Sequence, residues 1–489
     1  MIAVIDVGTT NVRAIVFDDA GRMVFVRKCN SVLSYREQGF VEMEMEAFEA
    51  SLVTLLSSVG QFLQESGYEV TSLSVTSQRS SVIPVDENGK ALHAAIMWQD
   101  TRSEQDCERV REWEHEIHSI CGMRPSPVFS APKIAFLKRT EPTLYDKSHK
   151  ILGFCEYVLF FLTHRFATDT SIASRTCLFD VSNLVWSERL LDLFGLEKEK
   201  LCPLVPVGSV VGETTESVSS LLKLKKPVPV VSAGGDQQCA ALGLGCIDEH
   251  SVMANCGTGS FLATLSPFPI LDDRMRINCN VSSIPGLWFI EGSVLSTGKT
   301  LDWVNDTFFK ATDEMHPYEH FTEASLASPP GSRGLRFSVH LAGKGTPVWD
   351  AKVKGAIFNL SLGTKKEDLA RGVLEGIACS LAEGLDCLVA VTGTSYPEVK
   401  LSGGLSKDEL FSQIQADVFG LKVSSSLGFE ATALGAWMSA AFTLGMYDSM
   451  AAAYEAVKKT YAVKHFLPRE EFVSLYEEVC FQILEYENT

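Results

Sequence analysis

Residues 2–17 read IAVIDVGTTNVRAIVF: a β-branched run, a short turn rich in glycine and threonine, and a second β-branched run. Two such runs around a tight turn predict a β-hairpin. The first run reaches a carboxylate at Asp6, and residues 8–11 then offer a glycine, hydroxyls and an amide before the guanidinium of Arg13. A site for phosphate and a metal ion needs these groups, although an ordinary hairpin with a capping aspartate is an equally good interpretation.

The same pattern recurs in the second half of the chain. Residues 251–254 lead into the turn CGTG at 256–259, and an apolar run over 261–265 follows. Glycines let the backbone approach a ligand closely, while N–H groups and threonine hydroxyls can bind phosphate oxygens. The two hairpins therefore predict the same kind of phosphate-binding turn in each half of the chain. Their sequence identity is too slight to prove a duplication.

Helical and extended patterns alternate around the hairpins. Apolar residues at helical spacing predict a helix over 44–64 that stops near Gly67, and residues 73–76 predict a short strand. Further helices are predicted over 366–390 and 407–419. In a chain of 489 residues this alternation predicts two layered α/β domains, since single cores stop growing at roughly 250 to 300 residues.

Composition narrows the functional classes. The formal net charge of -18 argues against nucleic-acid and membrane partners, because both present anionic surfaces that a basic face would bind. An anionic cosubstrate must therefore be neutralised locally by N–H groups or a cation. Thirteen cysteines without a C-x-x-C pair predict mostly buried thiols in a reducing compartment. With no recognisable signal peptide or spanning segment, we expect a cytoplasmic, unanchored protein.

Asp236 follows an apolar run over 228–231 and two glycines at 234 and 235. A carboxylate at a strand end beside glycines is placed to accept the proton of an attacking hydroxyl. The same residue suits a helix N-cap before the alanine-rich segment that starts at 240. From this motif alone, the N-cap is the better interpretation.

Arg79 and Trp98 follow other extended runs and suit a polyhydroxylated ligand. The arginine and its neighbour Gln78 can bond to hydroxyls, and the indole offers a flat apolar face to the carbons. Scattered surface residues are the alternative interpretation. The chain lacks the Walker motif of P-loop NTPases, metal-spaced histidines and the G-x-S-x-G motif of hydrolases.

Taken in order, these motifs resemble the FGGY family of carbohydrate kinases, most closely its glycerol kinase branch. The matching stretches are DVGTTNVRAIVFD (6–18), TSQR (76–79), AAIMWQDTR (94–102), SPVFSAPKI (126–134), ASRTCLFD (173–180), GGDQQCAALG (234–243), CGTGSF (256–261), EGSVLSTGKTLDW (291–303), WDAKVKGAI (349–357), SGGLSKDELFSQIQAD (402–417) and EATALGA (430–436). The resemblance implies two actin-like, ribonuclease H-like ATPase domains, 1–246 and 247–489, with an active-site cleft between them. It also implies ATP-dependent phosphorylation of a hydroxyl on a small polyol or sugar.

The resemblance further implies roles for individual residues, with ATP and Mg²⁺ as cofactors. Asp236 is the implied catalytic base, and Asp6 and Asp236 are the implied metal residues. The residues implied to contact the nucleotide are Thr9, Thr10, Asn11, Arg13, Gly257, Thr258, Gly298, Asp302, Gly404 and Asp408. The residues implied to surround the acceptor are Arg79, Ser80, Trp98, Val128, Asp236, Gln237 and Phe261.

The sequence departs from glycerol kinases in the acceptor pocket. The glutamate expected after Arg79 is Ser80, and the tyrosine expected before Phe129 is Val128. A three-carbon polyol would lose hydrogen-bond partners there, and charged hydrogen bonds contribute about 1.5 to 3 kcal/mol each. The vacated volume predicts an acceptor with four or more carbons.

Asp302 and Asp408 replace the usual glutamine and asparagine, and the added negative charge leaves the nucleotide preference undecided. A ketopentose kinase such as a xylulokinase is the nearest alternative, and a non-catalytic actin-like ATP-binding regulator is the alternative from another class. The retained Asp6, Asp236 and Thr258 argue against the regulator. Members of the family often form homo-oligomers, so the resemblance is compatible with self-association.

Overall fold

A computed structural model describes residues 1–36, 39–309, 317–426 and 430–487. The chain divides into two compact units. The first unit comprises Met1–Ile247, Ser266–Phe289 and Phe429–Thr460, and the second comprises Asp248–Leu265, Ile290–Gly428 and Tyr461–Thr489. Two later segments thus belong to the first unit. The boundary of functional domains at 246/247 stays a prediction.

Both units contain strands and helices. The strands are β1 (Ile2–Val7), β2 (Asn11–Phe17), β3 (Met23–Asn30), β4 (Leu33–Tyr35), β5 (Val41–Met43), β6 (Ser72–Ser77), β7 (Ile83–Val85), β8 (Ala95–Ile96), β9 (Lys150–Leu152), β10 (Thr168–Asp169), β11 (Phe179–Asp180), β12 (Val185–Trp186), β13 (Leu204–Val205), β14 (Val210–Glu213), β15 (Pro229–Gly235), β16 (Val252–Cys256), β17 (Ser260–Ser266), β18 (Asn278–Val281), β19 (Trp288–Val294), β20 (Arg336–Ser338), β21 (Ala356–Phe358), β22 (Glu398–Ser402), β23 (Lys422–Ser426) and β24 (Val463–Phe466).

The helices are α1 (Met45–Ser66), α2 (Glu104–Arg109), α3 (Glu114–Cys121), α4 (Ser130–Thr140), α5 (Pro142–Lys147), α6 (Phe154–Thr163), α7 (Thr170–Ala173), α8 (Glu188–Phe194), α9 (Glu216–Leu221), α10 (Asp236–Gly243), α11 (Gly298–Phe308), α12 (Pro317–Ala327), α13 (Lys366–Thr392), α14 (Glu409–Phe419), α15 (Ala431–Thr443), α16 (Met450–Lys458) and α17 (Glu470–Glu487). None of the helices in the described ranges has the length and hydropathy that a membrane crossing requires.

The main sheet of the first unit has the strand order β14–β15–β6–β1–β2–β3. The predicted hairpin is confirmed, since β1 pairs antiparallel with β2 and places Asp6 opposite Arg13. Strand β1 also pairs parallel with β6, which in turn pairs parallel with β15. The carboxyl ends of these three strands therefore lie at one edge of the sheet, which is where ligands bind in open α/β sheets.

The predicted helix over 44–64 is confirmed as α1. Its apolar face is buried against the sheet, and Gly67 ends the helix with a φ of 71°, a left-handed conformation that glycine adopts readily. The predicted strand over 73–76 is also confirmed, as β6.

Helix α10 crosses α15 at a contact between two glycines. A Cβ atom on Gly243 would lie 2.0 Å from the carbonyl oxygen of Ala431, and one on Gly435 would lie 1.8 Å from that of Cys239. Only glycine permits backbones to approach so closely. The contact fixes the position of α10, whose first residue is Asp236.

The main sheet of the second unit repeats this connectivity. Strand β16 pairs antiparallel with β17 and parallel with β22, and β22 pairs parallel with β23. The second predicted hairpin is therefore confirmed. The helices predicted over 366–390 and 407–419 are confirmed as α13 and α14.

Most of the cysteines are free thiols, as expected. Eleven are free, and nine of these are buried. The remaining two, Cys379 and Cys480, form a disulfide that joins α13 to α17. The spacing of the cysteines does not predict this pair, which is separated by 101 residues.

The last turn of α17 is anchored by Glu487, whose side chain is 7% exposed. Its carboxylate accepts hydrogen bonds from Ser338 Oγ at 2.7 Å and Lys344 Nζ at 2.9 Å. Burial alone would raise the pKa of Glu487, but bonds and charge from His340, Lys344 and Ser338 lower it to about 2. The ionised carboxylate thus stabilises the fold above the ordinary pKa of a glutamate, and this stabilisation is lost as the pH falls towards 2.

We expect Glu487→Gln to lower the free energy of unfolding by about 3 kcal/mol at neutral pH, because it leaves the Lys344 ammonium without one carboxylate partner. The difference from wild type should shrink between about pH 4.5 and about pH 2. Urea unfolding at several pH values measures both effects. Glu485→Gln, at an exposed position of the same helix, is the matched control. Equal losses of unfolding free energy in Glu487→Gln and Glu485→Gln would contradict the stabilising role of the Glu487 carboxylate.

Candidate active site

Two acidic side chains and an arginine meet at the carboxyl edge of the first unit's sheet. Asp6, on β1, is 1% exposed and accepts a hydrogen bond from Arg13 Nη2. Arg13 Nη1 donates to Glu430, the residue before α15. The family resemblance implies that Arg13 contacts nucleotide phosphate, whereas in the structure its guanidinium forms ion pairs with these two carboxylates. Its guanidinium therefore orients Asp6.

The electrostatic surroundings favour a cation beside Asp6. Burial raises the pKa of Asp6 to about 6, the charge of Arg13 opposes this rise, and the charges of Asp236 and Glu430 add to it. The like charges of Asp236 and Asp6 therefore repel each other. A divalent cation would relieve the repulsion between the two carboxylates.

The donor set fits Mg²⁺ better than a metal held entirely by protein. Within the described ranges, no three histidine, cysteine, aspartate or glutamate side chains are placed to hold a metal ion together. Mg²⁺ usually keeps several waters and binds through one or two carboxylates plus substrate phosphates. Asp6 and Asp236 supply that number of carboxylates.

Asp236 is the first residue of α10, directly after β15. Gly235 occupies the N-cap position, so the N-cap interpretation of Asp236 is wrong. The Asp236 side chain is 24% exposed, and its Oδ1 atom accepts from the backbone N–H of Gln237 at 2.8 Å and lies 3.4 Å from Arg79 Nε. The carboxylate is therefore oriented by two donors and reachable from solvent.

A hydrogen-bond chain links the expected acceptor residue Trp98 to the first turn. Trp98 Nε1 donates to Thr9 Oγ1 at 2.9 Å, and Thr9 Oγ1 donates to Gln78 Oε1 at 3.1 Å. Arg79 lies next to Gln78 and donates from Nη1 to Gln238 Oε1 at 3.2 Å. The structure thus brings Thr9, Arg79 and Trp98 into one region.

Other residues of the first turn shape its backbone. The N–H of Gly8 donates to the carbonyl oxygen of Asn11 at 3.0 Å, which closes the turn. The side chain of Thr10 is exposed. The turn can therefore offer a hydroxyl group to an anion.

The two substituted pocket positions lie near a second buried arginine. Ser80 donates from Oγ to the carbonyl oxygen of Arg175 at 3.0 Å, and Val128 is half-buried. The Arg175 guanidinium lies 4.9 Å from the ring centroid of Phe129. Arg175 lies in the stretch ASRTCLFD, but the sequence indicates no role for it, because its neighbours in space, such as Ser80, are distant in sequence.

The second unit carries the other glycine–threonine turn. The N–H of Gly298, the first residue of α11, donates to the carbonyl oxygen of Gly257 at 3.0 Å, and that of Lys299 donates to Thr258 at 3.1 Å. The turn is thus attached to the beginning of α11. Phe261 lies on β17 opposite Asn255 and is half-buried.

A pocket of about 550 Å³ lies beside α11, α12 and the start of α14. Its walls include Gly404 and Asp408, two of the expected nucleotide residues. Asp408 Oδ1 accepts from the N–H of Phe411 at 3.0 Å and caps α14. Burial raises the pKa of Asp408, and its bonds to backbone N–H groups oppose the rise. The volume is within the usual range for small-molecule and cofactor sites.

Asp302, on α11, lies close to this pocket. It accepts a hydrogen bond from the hydroxyl of Tyr318, which lines the pocket. The structure therefore brings together the expected residues Asp302, Gly404 and Asp408 around one pocket of the second unit. Two hydrogen bonds partly stabilise the negative charges predicted there. Tyr318 donates to Asp302, and the N–H of Phe411 in α14 donates to Asp408.

The chain matches two family models. Residues 1–243 match the FGGY family of carbohydrate kinases, N-terminal domain, and residues 252–444 match the FGGY family of carbohydrate kinases, C-terminal domain. Among characterised proteins, the chain is 28% identical to the xylulose kinase of Lactococcus lactis, over 99% of this chain and 96% of that protein. It is 28% identical to the gluconokinase of Bacillus subtilis, over 94% and 90% of the two chains. It is 31% identical to the glycerol kinase of Aquifex aeolicus, over 91% and 90%.

Solved structures confirm the fold class. The gluconate kinase from Lactobacillus acidophilus superposes with a TM-score of 0.92 at 23% identity, over 100% of this chain and 97% of that one. The Plasmodium falciparum glycerol kinase with ADP gives a TM-score of 0.88 at 23% identity, over 100% and 98%. The predicted α/β architecture with two actin-like domains is therefore confirmed.

Proposed function

Because the chain belongs to the FGGY family of carbohydrate kinases, we propose that it transfers the γ-phosphate of ATP to a hydroxyl of a polyol or sugar with four or more carbons. A sugar or polyol kinase activity follows from the family. The length of the acceptor and the roles of individual residues are the proposed parts. The observation that carries the residue roles is the oriented carboxylate of Asp236 beside Arg79 and the buried Asp6. The acceptor length rests on the small side chains of Ser80 and Val128.

Asp236 is the proposed catalytic base. Arg79 Nε and the N–H of Gln237 hold one carboxylate oxygen, which fixes the orientation of the group. In phosphoryl transfer the protein mainly positions the reactants and stabilises charge. A carboxylate in this position orients the acceptor hydroxyl and takes its proton as the new P–O bond forms. The bond between the γ-phosphorus and the bridging oxygen breaks at the same time, and ADP leaves.

Each glycine–threonine turn is proposed to bind phosphate oxygens of the nucleotide. The backbone N–H groups and hydroxyls of residues 8–11 and of 257–258 are the proposed phosphate contacts. Asp6 and Asp236 would hold Mg²⁺, largely through water, and the ion supplies neutralisation of the phosphate charge. Arg13 keeps Asp6 in place through the ion pair described above. The pocket beside Gly404 and Asp408 is the proposed adenosine site.

The acceptor pocket supports a substrate longer than glycerol. The Ser80 hydroxyl donates a hydrogen bond to the backbone carbonyl oxygen of Arg175, and Val128 has no polar side-chain atom. Two positions at which a glycerol kinase presents large hydrogen-bonding groups therefore present small ones. A ketopentose kinase is the second candidate, and the relative named xylulose kinase favours it.

A panel of acceptors tests the proposed function. We would measure ADP release by the purified chain with glycerol, tetritols, pentitols, ketopentoses and gluconate. The proposal expects kcat/KM for at least one longer acceptor to exceed that for glycerol by roughly tenfold or more, since a mismatched polar pocket weakens binding strongly. Efficient turnover of glycerol with no turnover of the longer compounds would contradict the larger pocket.

Gly298→Ala is expected to raise the KM for ATP by roughly tenfold or more, because small displacements of positioning groups have large kinetic effects. The added Cβ would lie 2.5 Å from the carbonyl oxygen of Gly257, and therefore pushes the second turn aside. Steady-state kinetics at saturating acceptor measure the change. Gly363→Ala is the control, because its added Cβ has its nearest neighbour at 3.6 Å. An unchanged KM for ATP in Gly298→Ala would remove the second turn from the nucleotide site.

Two further parts of the proposal concern the whole chain. Residues 1–246 are proposed to form the functional domain with the acceptor residues and Asp236, and residues 247–489 the domain with the nucleotide pocket. A cytoplasmic location suits an enzyme that uses ATP and small metabolites. Self-association stays compatible with the proposal and has no bearing on the assigned residues.

A further inference from the structure

Lys133, in the first turn of α4, is a cation with 0% of its surface exposed. Its ammonium group donates to four backbone carbonyl oxygens. They belong to Pro127 at 2.5 Å, Val128 at 2.7 Å, Phe129 at 3.2 Å and Ser80 at 3.4 Å. One ammonium group therefore holds together two separate stretches of backbone, residues 127–129 and Ser80.

No carboxylate in the described part of the chain forms an ion pair with this ammonium; its hydrogen bonds all go to the carbonyls. Burial lowers the pKa of Lys133 to about 7, the charges of Asp100 and Cys107 raise it, and that of Arg102 lowers it. An unpaired buried charge is costly unless its hydrogen bonds are satisfied. The hydrogen bonds to the four carbonyl oxygens offset the cost of burying the ammonium group at this position.

Both stretches of backbone belong to the acceptor region. Ser80 follows Arg79, which contacts Asp236. Ser80 also has a φ of 71°, in the left-handed region that residues with a Cβ atom rarely adopt. Such strained conformations persist only where the surroundings hold them. Lys133 bonds to the carbonyl of this strained residue and, at the same time, to those of Val128 and Phe129.

We propose that Lys133 is a positioning residue for the acceptor pocket, holding the turn at Arg79 and Ser80 and the segment 127–129 in one geometry. This inference rests on the proposed function, because it concerns the same acceptor site. A positioning role predicts that loss of Lys133 changes the KM for the acceptor and leaves the KM for ATP nearly unchanged. Loss of the ammonium proton also weakens the arrangement, because a neutral amine has two N–H groups and turns a lone pair towards carbonyl oxygens.

The test compares Lys133→Met with Lys138→Met. Lys138 lies on the same helix, is 38% exposed and bonds to Gly195 and Glu197, so its substitution removes the same charge away from the pocket. We expect Lys133→Met to raise the acceptor KM by roughly tenfold or more, since misplaced binding groups have effects of this size. The KM for ATP should stay close to that of wild type, and Lys138→Met should match wild type in both.

Wild-type kinetics provide a second measurement if Lys133→Met does not fold. Between about pH 6.5 and about pH 9 the acceptor KM should rise as Lys133 loses its proton, while the KM for ATP stays constant. A wild-type acceptor KM in folded Lys133→Met, or a pH-independent acceptor KM when that variant does not fold, overturns the inference and leaves the proposed function intact. A wild-type chain that phosphorylates no acceptor overturns both.

Discussion

Asp236→Asn is expected to lower kcat by about a thousandfold, while the affinity for nucleotide stays close to that of wild type. A positioned general base contributes about 10² to 10⁴ to the rate, and asparagine keeps the shape of the side chain but cannot take the acceptor's proton. The amide oxygen can still accept from the N–H of Gln237, the contact that the carboxylate makes at 2.8 Å. The beginning of α10 should therefore be unchanged.

Two measurements separate a lost base from a damaged site. Steady-state kinetics give kcat, and calorimetric titration with ADP gives the nucleotide affinity. Asp192→Asn, at an exposed position of α8, removes the same charge elsewhere in the first unit and should leave both quantities unchanged. Unchanged turnover by Asp236→Asn would reject Asp236 as the base.

Gly435→Ala is expected to lower the free energy of unfolding by about 3 kcal/mol, at the upper end of the usual penalty for overpacking. The added Cβ would lie 1.8 Å from the carbonyl oxygen of Cys239, so α10 and α15 must move apart. Both sides of this contact are helix backbone, which cannot yield as a flexible side chain can. Because α10 begins with Asp236, kcat should fall together with the stability.

Urea unfolding and steady-state kinetics measure the two consequences of Gly435→Ala. Gly363→Ala again adds the same methyl group without a close neighbour and should change neither quantity. A folded Gly435→Ala protein with the stability of wild type would show that the helices can separate without cost. Lost activity at wild-type stability would show that the contact acts on Asp236 alone.

Local patterns were sufficient to predict the elements that carry the site. The hairpin at 2–17 and the helix that became α1 are encoded by alternation and helical spacing in neighbouring residues. The position of Asp236 after a strand was also visible in the sequence. Its N-cap interpretation failed because the chain passes from β15 into α10 one residue earlier, at Gly235.

Contacts between distant residues were not predictable in this way. Arg13 and Glu430 are 417 positions apart in sequence, and the disulfide between Cys379 and Cys480 spans 101 positions. Periodicity reports which face of an element is buried but not which element covers it. Lys133 was missed for the same reason, because its partners at Ser80 and 127–129 come together only in the folded chain.

The proposed reaction moves a phosphoryl group from ATP to a carbon-bound hydroxyl. Incubation of the purified protein with Mg²⁺, ATP labelled on its γ-phosphate and each acceptor of the panel tests it directly. We expect label in a sugar or polyol phosphate, formed only when chain and acceptor are both present and nearly absent with Asp236→Asn. Label that stays in ATP, or appears only as inorganic phosphate with every acceptor, would contradict it.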